Sequence, residues 1–142
     1  MLVLVISWRM KAEEMCVYTR EEWHQGMLAL GVNSTQQLRG KLGALRELVE
    51  DRRSETFREF YAYCFDYAKE ASKKSIELDL CLSLWDVLLD SQDFPLLEDF
   101  PKFLRSRNVP VISKDMWMQI LAFFCHAEPD LSNFDCNGGW TV

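Results

Sequence analysis

A chain of 142 residues, 49% hydrophobic and 13% aromatic, holds ample material for a packed core, which excludes an intrinsically disordered segment. With 16 lysines and arginines against 22 aspartates and glutamates, the net charge of −6 has the wrong sign for a nucleic-acid or anionic-membrane binder and favours basic protein surfaces as partners. Six glycines and four prolines leave long runs free of helix breakers, and the apolar residues recur at helical spacing, so the expected fold class is all-α, a compact multi-helix domain.

The apolar start from Met1 to Trp8 is far shorter than the roughly 20 residues that cross a bilayer, and it lacks the basic leader and small-residue cleavage site of a signal peptide. It is expected to be a helix. Thr19-Arg20-Glu21-Glu22 is a capping-box pattern, opening a helix with Trp23, Met27 and Leu30 on one face that ends near Gly31. Ser34 or Thr35 caps the next helix, whose buried stripe is Leu38, Leu42, Leu45 and Val49. Ser54 caps a strongly amphipathic helix with Phe57, Phe60, Tyr61, Cys64, Phe65 and Ala68 at i, i+3, i+4, i+7, i+8 and i+11.

The run from Ile76 to Leu89 is apolar on nearly every side, which predicts a central helix surrounded by others. Beyond Pro95 a short helix carries Leu96, Phe100, Phe103 and Leu104. Asn108-Val109-Pro110 breaks it, and Ser113 caps a last helix with Trp117, Ile120, Leu121 and Phe124. From Glu128 the chain reads as a polar loop. No repeat or domain linker interrupts the succession, so one compact unit is expected.

Five cysteines, Cys16, Cys64, Cys81, Cys125 and Cys136, form no C-x-x-C pair, and two of them sit among aromatic or leucine neighbours on expected helices, which fits buried thiols in a reducing compartment; the expected localisation is nucleus and cytoplasm. Cys125 and His126 are neighbours about 100° apart on a helix and cannot readily face one another, so a cysteine enzyme is disfavoured. A zinc site finds no recurrent finger spacing.

Asn133, Asp135, Asn137 and Gly138 reproduce positions 1, 3, 5 and 6 of an EF-hand loop, but position 12 falls beyond Val142. Lys11 to Glu22 aligns as a second such loop, with Tyr18 at the hydrophobic position 8 and Glu22 at position 12, yet Lys11, Met15 and Cys16 stand where ligands and glycine belong. Together they predict EF-hand-like helix-loop-helix units with no competent metal site. A calcium-responsive binding module is the alternative this motif keeps open.

The segments Trp8-Arg9-Met10, Cys16 to Met27 (C-x-x-T-x-E-E-W-x-x-G-M), Phe57 to Lys69 (F-x-x-F-Y-x-x-x-F-x-Y-A-K), Leu84-Trp85, Ser113-Lys114-Asp115-Met116-Trp117, Asp130 to Asp135 and Gly138-Gly139-Trp140 cover nearly the whole chain. In them the sequence resembles the potentiating-neddylation (PONY) domain of the defective-in-cullin-neddylation proteins. That resemblance implies a single domain over 1–142, incomplete at its N-terminus and lacking a closing C-terminal helix. It implies a scaffold-type co-ligase without an active site or cofactor, expected to be monomeric, which holds a neddylation conjugating enzyme and a cullin C-terminal domain together.

By positional match, the pocket for the N-acetylated methionine of the conjugating enzyme falls on Ile6, Cys16, Tyr18, Tyr67, Leu84 and Val87. Each of these is also an ordinary core residue by type. The acidic patch for the cullin falls on Asp115 and on Gly139, where the family usually has alanine; Asp115 alone reads equally as dipole compensation in the first helical turn. A second family aspartate belongs to the closing helix. A chain without that helix is expected to expose Trp117 and Phe123 or Phe124, and to bind the conjugating enzyme better than the cullin. A form that occupies the conjugating enzyme without delivering it would inhibit neddylation.

Overall fold

The computed structural model describes residues 1–128 and 130–132, and the helical class expected from the sequence is what it shows. Among the described residues, seven α-helices and one short antiparallel pair of strands fall into two compact units, Met1–Ala68 and the residues from Lys69 on.

In the first unit, α1 (Leu2–Met10) packs on α2 (Arg20–Leu30), α3 (Thr35–Glu47) and α4 (Glu55–Ala68). The caps are those the side chains dictate. Thr19 Oγ1 accepts from Glu22 N–H (3.0 Å) while Glu22 Oε2 accepts from Thr19 N–H (3.1 Å), and Gly31 ends α2 with a left-handed φ of 70°. Ser34 accepts from Gln37 N–H and Ser54 from Phe57 N–H, each at 3.1 Å. Gly26 is required by close approach, since a Cβ there would collide with the Met10 side chain. Met10, Met27, Val32 and Leu38 form a buried cluster, with Ile6, Tyr18 and Leu30 packed against it. Phe57, Phe60, Tyr61, Cys64 and Phe65 of α4 are buried as the periodicity predicts. Trp23 departs from the expected face. It is exposed, with its ring edge against Tyr18 at 5.9 Å.

In the second unit, β1 (Ser75–Glu77) pairs antiparallel with β2 (Val111–Ser113), matching Ile76 to Ile112, both buried. Each strand runs straight into a helix, β1 into α5 (Leu78–Leu88) and β2 into α7 (Lys114–His126). Ile76 is thus strand and not the start of a helix. The short helix expected beyond Pro95 is a 3₁₀ turn, Pro95–Leu97, followed by α6 (Phe100–Ser106). Ser113 caps α7 by accepting from Met116 N–H at 3.2 Å. Trp85 stacks on Trp117 at 6.2 Å, and Phe124 meets Trp85 edge-on at 5.8 Å.

Two expectations about apolar surface are corrected here. The helix α5 buries Cys81, Leu84, Trp85 and Leu88 but leaves Leu80 and Val87 exposed, so a sequence apolar on nearly every side did not mean burial on every side. Trp117 and Phe124 are buried and Phe123 half-buried, because the Trp85 and Phe100 rings cover them; the exposed ring is Phe103.

Candidate functional site

The buried hydroxyl of Ser7 organises the first unit's candidate residues. Its Oγ donates to the Val3 carbonyl (2.8 Å) and lies 2.6 Å from Tyr18 Oη and 3.1 Å from Tyr67 Oη. Tyr67 Oη accepts the backbone N–H of Cys16 at 2.8 Å. Cys16 has a φ of 62°, a left-handed conformation that a side-chain-bearing residue seldom adopts, and the Tyr67 bond ties its amide down. Three of the sequence-predicted residues, Cys16, Tyr18 and Tyr67, are therefore linked through one hydrogen-bonded network. The fourth, Ile6, shares the Met10 cluster with Tyr18.

Tyr63 adds a second layer. Its ring stacks on Tyr67 at 5.4 Å and its hydroxyl donates to the Ala12 carbonyl at 2.7 Å. Burial pushes the phenols of Tyr18 and Tyr63 above their ordinary value of 10.0, because an ionised oxygen would lose its water. Tyr63 and Tyr67 line a cleft of about 740 Å³ whose other walls carry Arg9, Lys11, Glu13, Glu59 and Asp66. Such mixed charge does not suit an acetylated methionine, and Ile6, Cys16 and Tyr18 do not line this cleft.

Leu84 and Val87, the remaining residues expected at the acetyl-methionine pocket, belong to the second unit. They lie three residues apart on α5, Leu84 buried and Val87 44% exposed. Asp115 is exposed in the first turn of α7, where its Oδ2 accepts from Gln119 Nε2 at 3.0 Å. Gly139, Cys136, and the loop residues Asn133, Asp135, Asn137 and Gly138 lie outside the described residues.

A groove of about 630 Å³ runs along α6 and α7. Its walls are Phe100, Phe103, Leu104, Met116, Ile120 and Phe123, with Leu96 and Leu131 adding apolar surface and Asp99, Arg107 and Gln119 contributing polar groups. Phe103 is 49% exposed, and the Arg107 guanidinium sits 5.6 Å from its ring centre.

The helix-loop-helix geometry explains why calcium ligands are missing. In the loop from Lys11 to Glu22, the carboxylate that would be the bidentate ligand is spent on the capping box. Placing Ile76 and Ile112 at the hydrophobic eighth position puts Lys69 and Arg105 at the first, where an EF-hand carries an acid. The Lys69 ammonium donates to the carbonyls of Lys73 (2.8 Å) and Glu70 (3.3 Å), holding its own loop as a bound cation would. No group of three or more metal-ligating side chains occurs among the described residues.

A family model for cullin binding matches residues 37–142 of this chain. The chain belongs to the cullin-binding family. The PONY-domain resemblance read from its motifs is thereby shown. The human DCN1-like protein 5 is 35% identical over 141 residues, which is 99% of this chain and 58% of that protein. DCN1-like protein 4 of Danio rerio is 36% identical over the same length, 49% of its own, and that of Drosophila melanogaster is 31% identical over 56% of its own. The chain thus spans about half the length of the curated relatives it matches.

In this member of the cullin-binding family, sequence reasoning missed Ser7, Tyr63 and Gln119. Ser7 is the one polar residue in an apolar helical run, and such a residue is buried only when its hydroxyl is satisfied. Gln119 stands one helical turn after Asp115, a spacing at which an amide and a carboxylate meet.

Proposed function

We propose that the chain acts as a non-catalytic scaffold in cullin neddylation, docking the basic C-terminal domain of a cullin and the N-acetylated methionine of the conjugating enzyme. The observation that carries this reading is the match of residues 37–142 to the cullin-binding family, within which Asp115 stands exposed on α7. The relatives' name, DCN1-like, points to the same pathway. The net charge of −6 favours a basic partner.

Within the first unit, Ile6, Cys16, Tyr18 and Tyr67 are the residues put forward for the acetylated methionine. Acetylation suits an apolar site because it removes the terminal charge that burial penalises. Holding donor and acceptor on one body turns their encounter into a nearly unimolecular step and restricts its orientation, so no nucleophile is needed on the scaffold. Two of the thiols fit that division of labour, while Cys16 is exposed and Cys125 half-buried. Cys64 and Cys81 are buried, and burial raises both above their ordinary value, disfavouring the thiolate that covalent transfer requires. The chain acts in this reading as a monomer without a cofactor.

Fluorescence anisotropy with two probes tests it. An acetylated N-terminal peptide of the conjugating enzyme should bind at least about tenfold more tightly than its unacetylated form, and Asp115→Ala should weaken only the cullin domain. Equal affinity of the two peptides would remove the methionine site, and no affinity for the cullin domain would remove the docking reading.

A further inference from the structure

We propose that the groove on α6 and α7 is part of the cullin-docking face, and that it receives an apolar side chain of the cullin domain lying beside a basic one. The inference rests on the reading of Asp115 as a docking residue and extends that face to Gln119 and Phe103.

Three observations join the groove to Asp115. The first is continuity: Gln119, which lines the groove, gives its amide nitrogen to Asp115 Oδ2 at 3.0 Å, so the carboxylate and the groove share one side chain. The second is an unmet acceptor. Gln119 Oε1 is shielded from solvent and has no hydrogen-bond partner among the described residues, whose other buried side-chain oxygens and nitrogens are paired. The side chain is half-buried, and a partner with an N–H donor that seats on it can satisfy the unpaired oxygen if the amide rotates and exchanges its bond to Asp115 for one to the partner. The third is the exposed ring of Phe103, backed by Phe100 at 5.7 Å, an apolar wall whose rim carries both charges, the Arg107 guanidinium 5.6 Å from the ring centre and Asp99, which pairs with Lys102 at 3.5 Å.

These features select the partner's chemistry. An apolar side chain fills the volume between Phe103, Ile120 and Phe123, while a neighbouring lysine or arginine reaches Asp115 and Gln119 Oε1. Asp115 then sets charge complementarity, and the groove supplies the desolvated contact from which most affinity arises.

Calorimetric titration of a cullin C-terminal domain into the whole chain tests this, comparing wild type with Asp115→Asn, Phe103→Ser and Gln119→Leu. The side-chain amide signals of Gln119 are followed in parallel by NMR in the wild-type chain. The expected result is a loss of about tenfold or more for Phe103→Ser and for Gln119→Leu, with the Gln119 signals shifting on titration. Wild-type affinity in both groove variants and unmoved Gln119 signals, with Asp115→Asn weakened, would overturn the groove while leaving the docking reading intact. Absence of wild-type binding would overturn both. If Phe103→Ser instead abolished self-association of the chain in sedimentation and left cullin affinity unchanged, the occupant would be a second copy and the inference would fail. Should a variant misfold, the NMR shift in the wild-type chain still decides.

Discussion

Around Ser7, the hydroxyls of Tyr18 and Tyr67 and the amide of Cys16 close into a network whose oxygens all have partners, whereas Gln119 reaches Asp115 with its nitrogen and leaves its oxygen bare. Both clusters combine polar atoms with aromatic walls. The first satisfies its buried groups internally, which rigidifies the α1–α2 loop around an unusual backbone conformation at Cys16. The second keeps a shielded, unmet acceptor on a side chain that lines the same groove as an exposed ring. Substitutions in the first should register as lost stability, and substitutions in the second as lost binding.

The largest effect on stability is expected where the first unit has no room. Gly26→Val places a branched side chain against Met10 and should destabilise by about 2–3 kcal/mol in urea denaturation. Tyr67→Phe removes the oxygen that serves Ser7 and the Cys16 amide, and a loss of about 1–3 kcal/mol is expected, with faster hydrogen exchange at Cys16. Thr19→Ala breaks the capping box of α2 at an expected cost of about 1 kcal/mol. Phe103→Ser, on a half-exposed ring, should alter stability by about 0.5–1 kcal/mol at most while changing cullin affinity strongly. If Phe103→Ser proved as destabilising as Tyr67→Phe, the contrast between the two clusters would collapse.

A pH titration gives the finest version of the same contrast. Burial holds the phenols of Tyr18 and Tyr63 protonated above their ordinary 10.0, so the folded chain retains those protons more tightly than the unfolded one. Their stabilising effect is fully present below pH 10, and it is lost as pH rises through the raised folded values. Denaturation midpoints measured from pH 8 to 11 should fall at the alkaline end. Tyr63→Phe should make that fall shallower, and Phe103→Ser should leave its slope unchanged.

Much of this was legible in the sequence where the cause is local. Thr19, Ser34, Ser54 and Ser113 announce helix starts because a side-chain oxygen satisfies an amide three residues on, and the Phe57 to Phe65 periodicity fixes the face of α4. The strands were not legible. Ser75–Glu77 and Val111–Ser113 are three residues each, and what makes them strands is a partner more than thirty residues away in the chain. Likewise the exposure of Trp23, Leu80 and Val87 depends on which neighbours are present and not on side-chain character. Among the candidate site residues, the motif resemblance pointed to Tyr18, Tyr67 and Cys16, but Ser7, which joins them, carries no motif. Gln119 was equally silent, because an amide on a helix surface has no signature until its acceptor is left without a donor.

The central claim is that this chain accelerates transfer by holding two partners, with Asp115 on one of the surfaces. A single-turnover reaction from modifier-charged conjugating enzyme to a cullin C-terminal domain, with no addition, with this chain and with its Asp115→Ala variant, tests it most directly. The account predicts faster transfer with the chain and a return toward the unassisted rate with the variant. Transfer that is unchanged or slowed by the chain would contradict it.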